Sequence, residues 1–194
     1  MSAGPHIARL TAATVAFALA GCGAGQYGFS RYYVPLDEEE SYDEQGKDYP
    51  YGDVTSGPAS FDGKLIAWFG VVEKVTPAPD GRFQIALSHR QHQERHLCDD
   101  DSSGSCRVTV HFKSSGGFSA IVALSAADAM PGLDKVQPGT LLRVFGKVKC
   151  RQNDEEQTVC EYDDRGGVLL DAVYYRQWPA RHFVTTRAAS TMRR

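Results

Sequence analysis

The 194-residue chain lacks an apolar run long enough to cross a bilayer as a helix; Leu10 to Ala20 (LTAATVAFALA) is too short at that length. It has no Gly-x-Ser-x-Gly turn, which removes one well-marked nucleophile site. It has no Cys-x-x-Cys spacing, which argues against a zinc ribbon. Gly116-Gly117 and Gly166-Gly167 read as turns, because neither opens a long helix that could cradle a phosphate. An excess of charge of one sign is missing too. Lys and Arg number 21 and Asp and Glu 24, a net charge of -3, so nothing in the balance calls for a polyanionic partner. No catalytic residue and no cofactor are assigned on these grounds, and the chain is expected not to be an enzyme.

What is present begins at the N-terminus. Met1 to Arg9 carries one cation, the apolar Leu10 to Ala20 follows, and Leu19-Ala20-Gly21-Cys22 closes the segment. These four residues resemble the lipobox of bacterial lipoproteins. The resemblance implies that residues 1–21 are a signal peptide, that Cys22 is acylated, and that it becomes the first residue of the mature chain. Gly23 stands where an Asp in that family often retains the protein at the inner membrane. The resemblance therefore implies a lipid anchor in the cell envelope, at the outer membrane.

Five cysteines occur in all. Assigning Cys22 to the lipid leaves Cys98, Cys106, Cys150 and Cys160, an even set suited to two disulfides in an exported chain. Four cysteines allow three connectivities. Local pairs, Cys98–Cys106 and Cys150–Cys160, are favoured because each brackets a short polar segment between strand-like runs. Crossed pairing requires two loop tips to meet, which one end of a barrel permits.

Residues 22–60 read as a flexible acidic tether. Asp37-Glu38-Glu39-Glu40 is a run of acids, few aliphatics are available to bury, and six tyrosines from Tyr27 to Tyr51 are its unusual feature. Residues 61–184 form the folded domain, and residues 185–194 a frayed basic tail. Within the domain, Lys64 to Val75 is a long strand with Gly70 inside it, where a bend or bulge is expected. Phe83, Ile85 and Leu87 alternate with polar or small residues, as do Val108, Val110 and Phe112. Ser114 to Gly117 is expected to turn the chain. Ser125 is an N-cap for a short helix that Pro131-Gly132 stops, and the segments 140–150 and 168–175 are the last strands.

This order is mainly β, five to six strands with one short helix before the penultimate strand. It resembles the OB-fold, with 138–148 (PGTLLRVFGKV) in the place of that family's fourth strand. The whole chain is also similar to starvation-type outer-membrane lipoproteins, which pair a lipobox with such a barrel. These resemblances imply a non-catalytic binding or scaffolding module, with an envelope protein or a glycan as partner. The alternatives are a metal protein or enzyme using residues 89–101, and a structural coat lipoprotein without a ligand.

Two clusters are candidate sites. His89, His92 and His96 would share one face of a helix, whereas on a strand only His92 and His96 do. His92 and His96 are therefore the metal candidates, beside Asp99 to Asp101, against a simpler reading as a solvated polar hairpin. The second cluster is Tyr175, Arg176, Trp178 and Arg181, where rings and guanidiniums mix. It could stack a sugar or take a peptide, or it could merely seal the barrel's end. Nucleic acid is excluded as its partner by net charge and export.

Overall fold

In the computed structural model of the chain, the described residues are 29–98, 107–130, 132 and 135–187. Cys22, Cys106 and the segment 188–194 lie outside them, and with these the acylation site and the Cys98–Cys106 pair. The elements run β1 (Phe29–Tyr32), α1 (Asp37–Gln45), α2 (Tyr51–Ser56), β2 (Ile66–Pro77), β3 (Phe83–Cys98), β4 (Arg107–Val122), α3 (Ala126–Ala129), β5 (Leu141–Val148), β6 (Cys150–Gln152), β7 (Thr158–Cys160), β8 (Leu169–Trp178) and β9 (Phe183–Thr186).

Five of these strands close a barrel. β3 pairs with β2, β2 with β5, β5 with β8, β8 with β4, and β4 returns to β3. The β4–β8 pairing is parallel and the others in the ring are antiparallel. With α3 between β4 and β5, the arrangement is an OB-like barrel, as the sequence pattern implies. Closure leaves no barrel edge unpaired and buries one face of every strand. Trp68, Ile85, Leu87, Phe118, Leu142, Val144 and Leu170 fill the interior, each with no exposed surface. Beyond the ring, β1 extends the edge of β3, and β9 runs parallel to the far end of β4.

The caps follow local chemistry. Ser125 Oγ accepts from Asp128 N at 3.1 Å, the N-cap of α3. Cys150 and Cys160 are disulfide-bonded across β6 and β7, whose Cα atoms are 3.9 Å apart there.

Three expectations are corrected. Ser114 to Gly117 does not turn the chain; β4 runs through it as one strand of 16 residues. The strand must curve around the barrel, and Gly116, at φ +147°, supplies the bend. A Cβ at Gly116 would also collide with the Tyr51 ring, whose hydroxyl donates to Gly117 O at 2.8 Å. Gly70 marks close approach rather than a bulge, because a Cβ there would meet Leu87 and Phe118 at 2.9 Å. The register shift in β2 falls later, between Val72 and Lys74.

The largest correction concerns the acidic tether. From Phe29 onward it is not a free spacer: β1, α1 and α2 all form and all touch the barrel. Aliphatic poverty suggested that nothing could offset the ordering entropy. Tyr51 contradicts this by packing 5.4 Å from Trp68, and Trp68 Nε1 donates to Tyr49 O at 2.7 Å. Glu39 contradicts it by charge.

Candidate binding face and groove

Residues that point outward from β2, β5 and β8 form a three-by-three grid fixed by strand register. Ala67, Phe145 and Tyr174 make one row, Phe69, Arg143 and Arg176 the next, and Val71, Leu141 and Trp178 the third. An outer barrel face should be wet. This one is covered by the segment 33–45, which lies across it as a strap.

The strap is pinned by one carboxylate. Glu39 has no exposed surface. Its Oε1 accepts from Arg143 Nη1 at 2.9 Å and from the Tyr33 hydroxyl. Its Oε2 accepts from Arg176 Nη1 at 2.8 Å and from Leu36 N at 3.2 Å. Asp43 adds a second bridge to Arg143 at 2.5 Å. Burial alone would raise the Glu39 carboxyl. The hydrogen bonds from Tyr33, Arg176 and Leu36 N and the Arg143 charge outweigh it and hold the group below the usual carboxylate range. Tyr33 moves the other way: burial and its bond to the Glu39 carboxylate both oppose ionisation of the phenol.

Rings complete the face. The Arg143 guanidinium lies 4.5 Å from the Tyr33 centroid and 4.6 Å from that of Phe145. Arg176 lies 4.7 Å from the Trp178 centroid. Tyr42 stacks on Tyr174 at 4.9 Å and 11°.

An open groove of about 580 Å³ borders the strap. Leu36 and Glu38 form one wall, Ser125 and Asp128 of the α3 region the other, and Ala172 to Gln177 of β8 the floor. Asp128 accepts from Ser125 Oγ at 2.7 Å, from the Tyr175 hydroxyl and from Gln177 Nε2. Burial and this bond to Asp128 push the Tyr175 phenol up to about 12. These groups lock one another as hydrogen-bond partners, which suits shape and polarity rather than proton transfer.

The sequence candidates are therefore divided. Tyr175 and Arg176 both reach the groove, but Arg176 is also spent on Glu39. Trp178 lies under the strap, 6% exposed, in a second cluster with Phe69, Val108, Val110 and Leu141. Arg181 is exposed beyond the end of β8, where its Nε donates to His182 Nε2 at 3.1 Å. The four do not form one site.

The histidines are on a strand, but they are not the solvated hairpin expected. His92 stacks on Phe69 at 4.3 Å and 12°, and His96 on Tyr33 at 4.8 Å. His89 points the other way, 5.1 Å from Trp68. Burial lowers the three to about 3, 4 and 4 respectively, with Arg143, Arg176 and Arg90 as the next causes in the same order. Among the described residues no group of three His, Cys, Asp or Glu side chains could hold a metal ion.

Sequence reasoning missed Tyr33, Glu39 and Arg143. Glu39 stands in a run of acids that reads as solvated, and only its partners distinguish it. Arg143 did leave a trace, as the lone cation among the first residues of an apolar strand.

No family model and no curated protein matches the chain. A small single-stranded DNA-binding protein from Streptomyces coelicolor is similar in structure at 17% identity, over 60% of this chain and 95% of that one, with a TM-score of 0.29. The expectation that ruled nucleic acid out as a partner is corrected on the geometry of the face itself. The exclusion rested on export and on net charge, and net charge is a property of the whole chain. It is blind to a local face where Arg143 and Arg176 sit side by side.

Proposed function

We propose that the chain is a lipid-anchored, non-catalytic binding module of the cell envelope, held at the outer membrane through Cys22. The anchor rests on Leu19-Ala20-Gly21-Cys22, and the outer-membrane step on Gly23 after it. The binding role rests on where a ligand can meet the barrel. Trp68 and Phe118 fill the interior, so contact must be made outside, and the groove beside Tyr175 and Arg176 is open. Ser125, Tyr175 and Gln177 are all paired with Asp128 there, which fits recognition better than catalysis.

Metabolic labelling with a fatty acid tests the anchor. The wild-type chain is expected to take up label and to fractionate with the outer membrane. Cys22→Ser is expected to do neither. Label on the Cys22→Ser variant removes the anchor. Fractionation of wild type with the inner membrane removes only the outer-membrane step. Several acyl chains are needed for stable retention, because one binds only marginally.

A further inference from the structure

The strap is an unusual way to cover a barrel face. Of the nine residues of α1 only Glu39 is buried, and the first turn is wholly acidic. The helix is held by ion pairs and one ring stack rather than by an apolar stripe. A buried ion pair contributes little net stability, because desolvation offsets the attraction. Such a segment belongs to the low-stability end of a structure. What it covers is different in kind. Two guanidiniums, Trp178, Phe69 and Phe145 make up a composition found at the energetic centres of protein interfaces.

The boundary between strap and barrel is sharp. Lys47 N donates to Leu65 O at 3.1 Å and Ala67 N to Lys47 O at 3.0 Å, so the chain joins the barrel's backbone for good at residue 47, and before it only the β1–β3 ladder of residues 29–32 ties the segment to a barrel strand through a sheet. Gly46 is the joint. Residues 29–45 can therefore leave without breaking a bond of the closed ring. Exchange of one identical element between two copies preserves every contact, and it is a low-cost route to a dimer.

We infer that the outer face of β2, β5 and β8 is a recognition site for an acidic, tyrosine-bearing helix, filled in cis by the chain's own α1 and in trans by the same segment of a second copy. The charge match supplies the specificity: one carboxylate, placed between Tyr33 and Tyr42, answers Arg143 and Arg176 together.

Two full-length variants, purified in one mild detergent, test this. Glu39→Ala has a face but no working strap. The double variant Arg143→Ala, Arg176→Ala has a strap but no working face. Each alone is expected to sediment as a monomer. Mixed in equal amounts they are expected to give a species of twice the mass, which a peptide of residues 29–45 disperses. If Glu39→Ala does not fold, Glu39→Gln replaces it, and the readout becomes direct binding of the labelled peptide. That peptide should bind at least tenfold more tightly than one carrying Ala at position 39. Two folded variants that stay monomeric in the mixture overturn the inference, as does equal binding of the two peptides. Uptake of a single-stranded oligonucleotide in place of the peptide also overturns it, and would assign the face to another class of ligand.

Discussion

Arg143 is the residue on which the outer face turns. It meets Glu39, Asp43, Tyr33 and Phe145 with a side chain only 11% exposed. Arg143→Met keeps its length and removes its charge, leaving Glu39 with Arg176 as its one cationic partner. Breaking a buried pair from one side costs more than the pair contributed, about 3 kcal/mol here. Urea unfolding should show that loss, and an unchanged midpoint would mean that the strap is held by something else. The histidines give a pH prediction. His89, His92 and His96 have folded values of about 4, 3 and 4, below the ordinary 6.5. The unfolded chain therefore binds more protons, and stability present above pH 6.5 is lost as pH falls toward 4. Glu39 and Asp163, held low, extend the loss further into acid. Asp48 opposes them: desolvation by the protein around it raises it to about 6, so its contribution grows as pH falls below that value. Three histidines outweigh one aspartate, so the unfolding midpoint should drop between pH 6.5 and 4. His92→Gln should flatten the slope by about one proton. A midpoint flat across that window would contradict the burial of these rings.

At the scale of elements, β6 and β7 are three residues each and pair only with one another. So short a hairpin is marginal by itself. The Cys150–Cys160 bond, closing a separation of 10 residues, supplies the constraint. Replacing both cysteines by Ala should cost roughly 2.5–3 kcal/mol by the loop-entropy relation. Hydrogen exchange should rise in residues 150–160 while β2 and β5 stay protected. Loss of protection throughout the barrel would show that the hairpin is part of the cooperative core. Local pairing of these two cysteines was legible because the polar segment Arg151 to Val159 between them must reverse the chain. The continuity of β4 was not legible. Ser-Ser-Gly-Gly is turn chemistry in isolation, and only the curvature of a closed ring turns it into a bend within a strand.

Over the whole molecule, the chain's two tryptophans report on its two packed regions. Trp68 sits in the barrel interior and Trp178 under the strap. In Glu39→Ala, emission from Trp178 should shift to the red while Trp68, isolated by Trp178→Phe, stays blue. A shift of both would mean that strap and barrel unfold together. The same separation marks what sequence could determine. Alternating apolar residues, the Ser125 cap and the order of strands specified a small closed barrel, because period-two burial and capping are local properties of the chain. The destination of the acidic segment was decided only by tertiary structure. Glu39 looks like its neighbours until Phe69, Arg143 and Arg176 are brought into one row by the register of three strands, and register joins residues up to 107 positions apart. A carboxylate is buried there because two guanidiniums, a phenol and a backbone N–H converge on it, and no local pattern encodes that convergence.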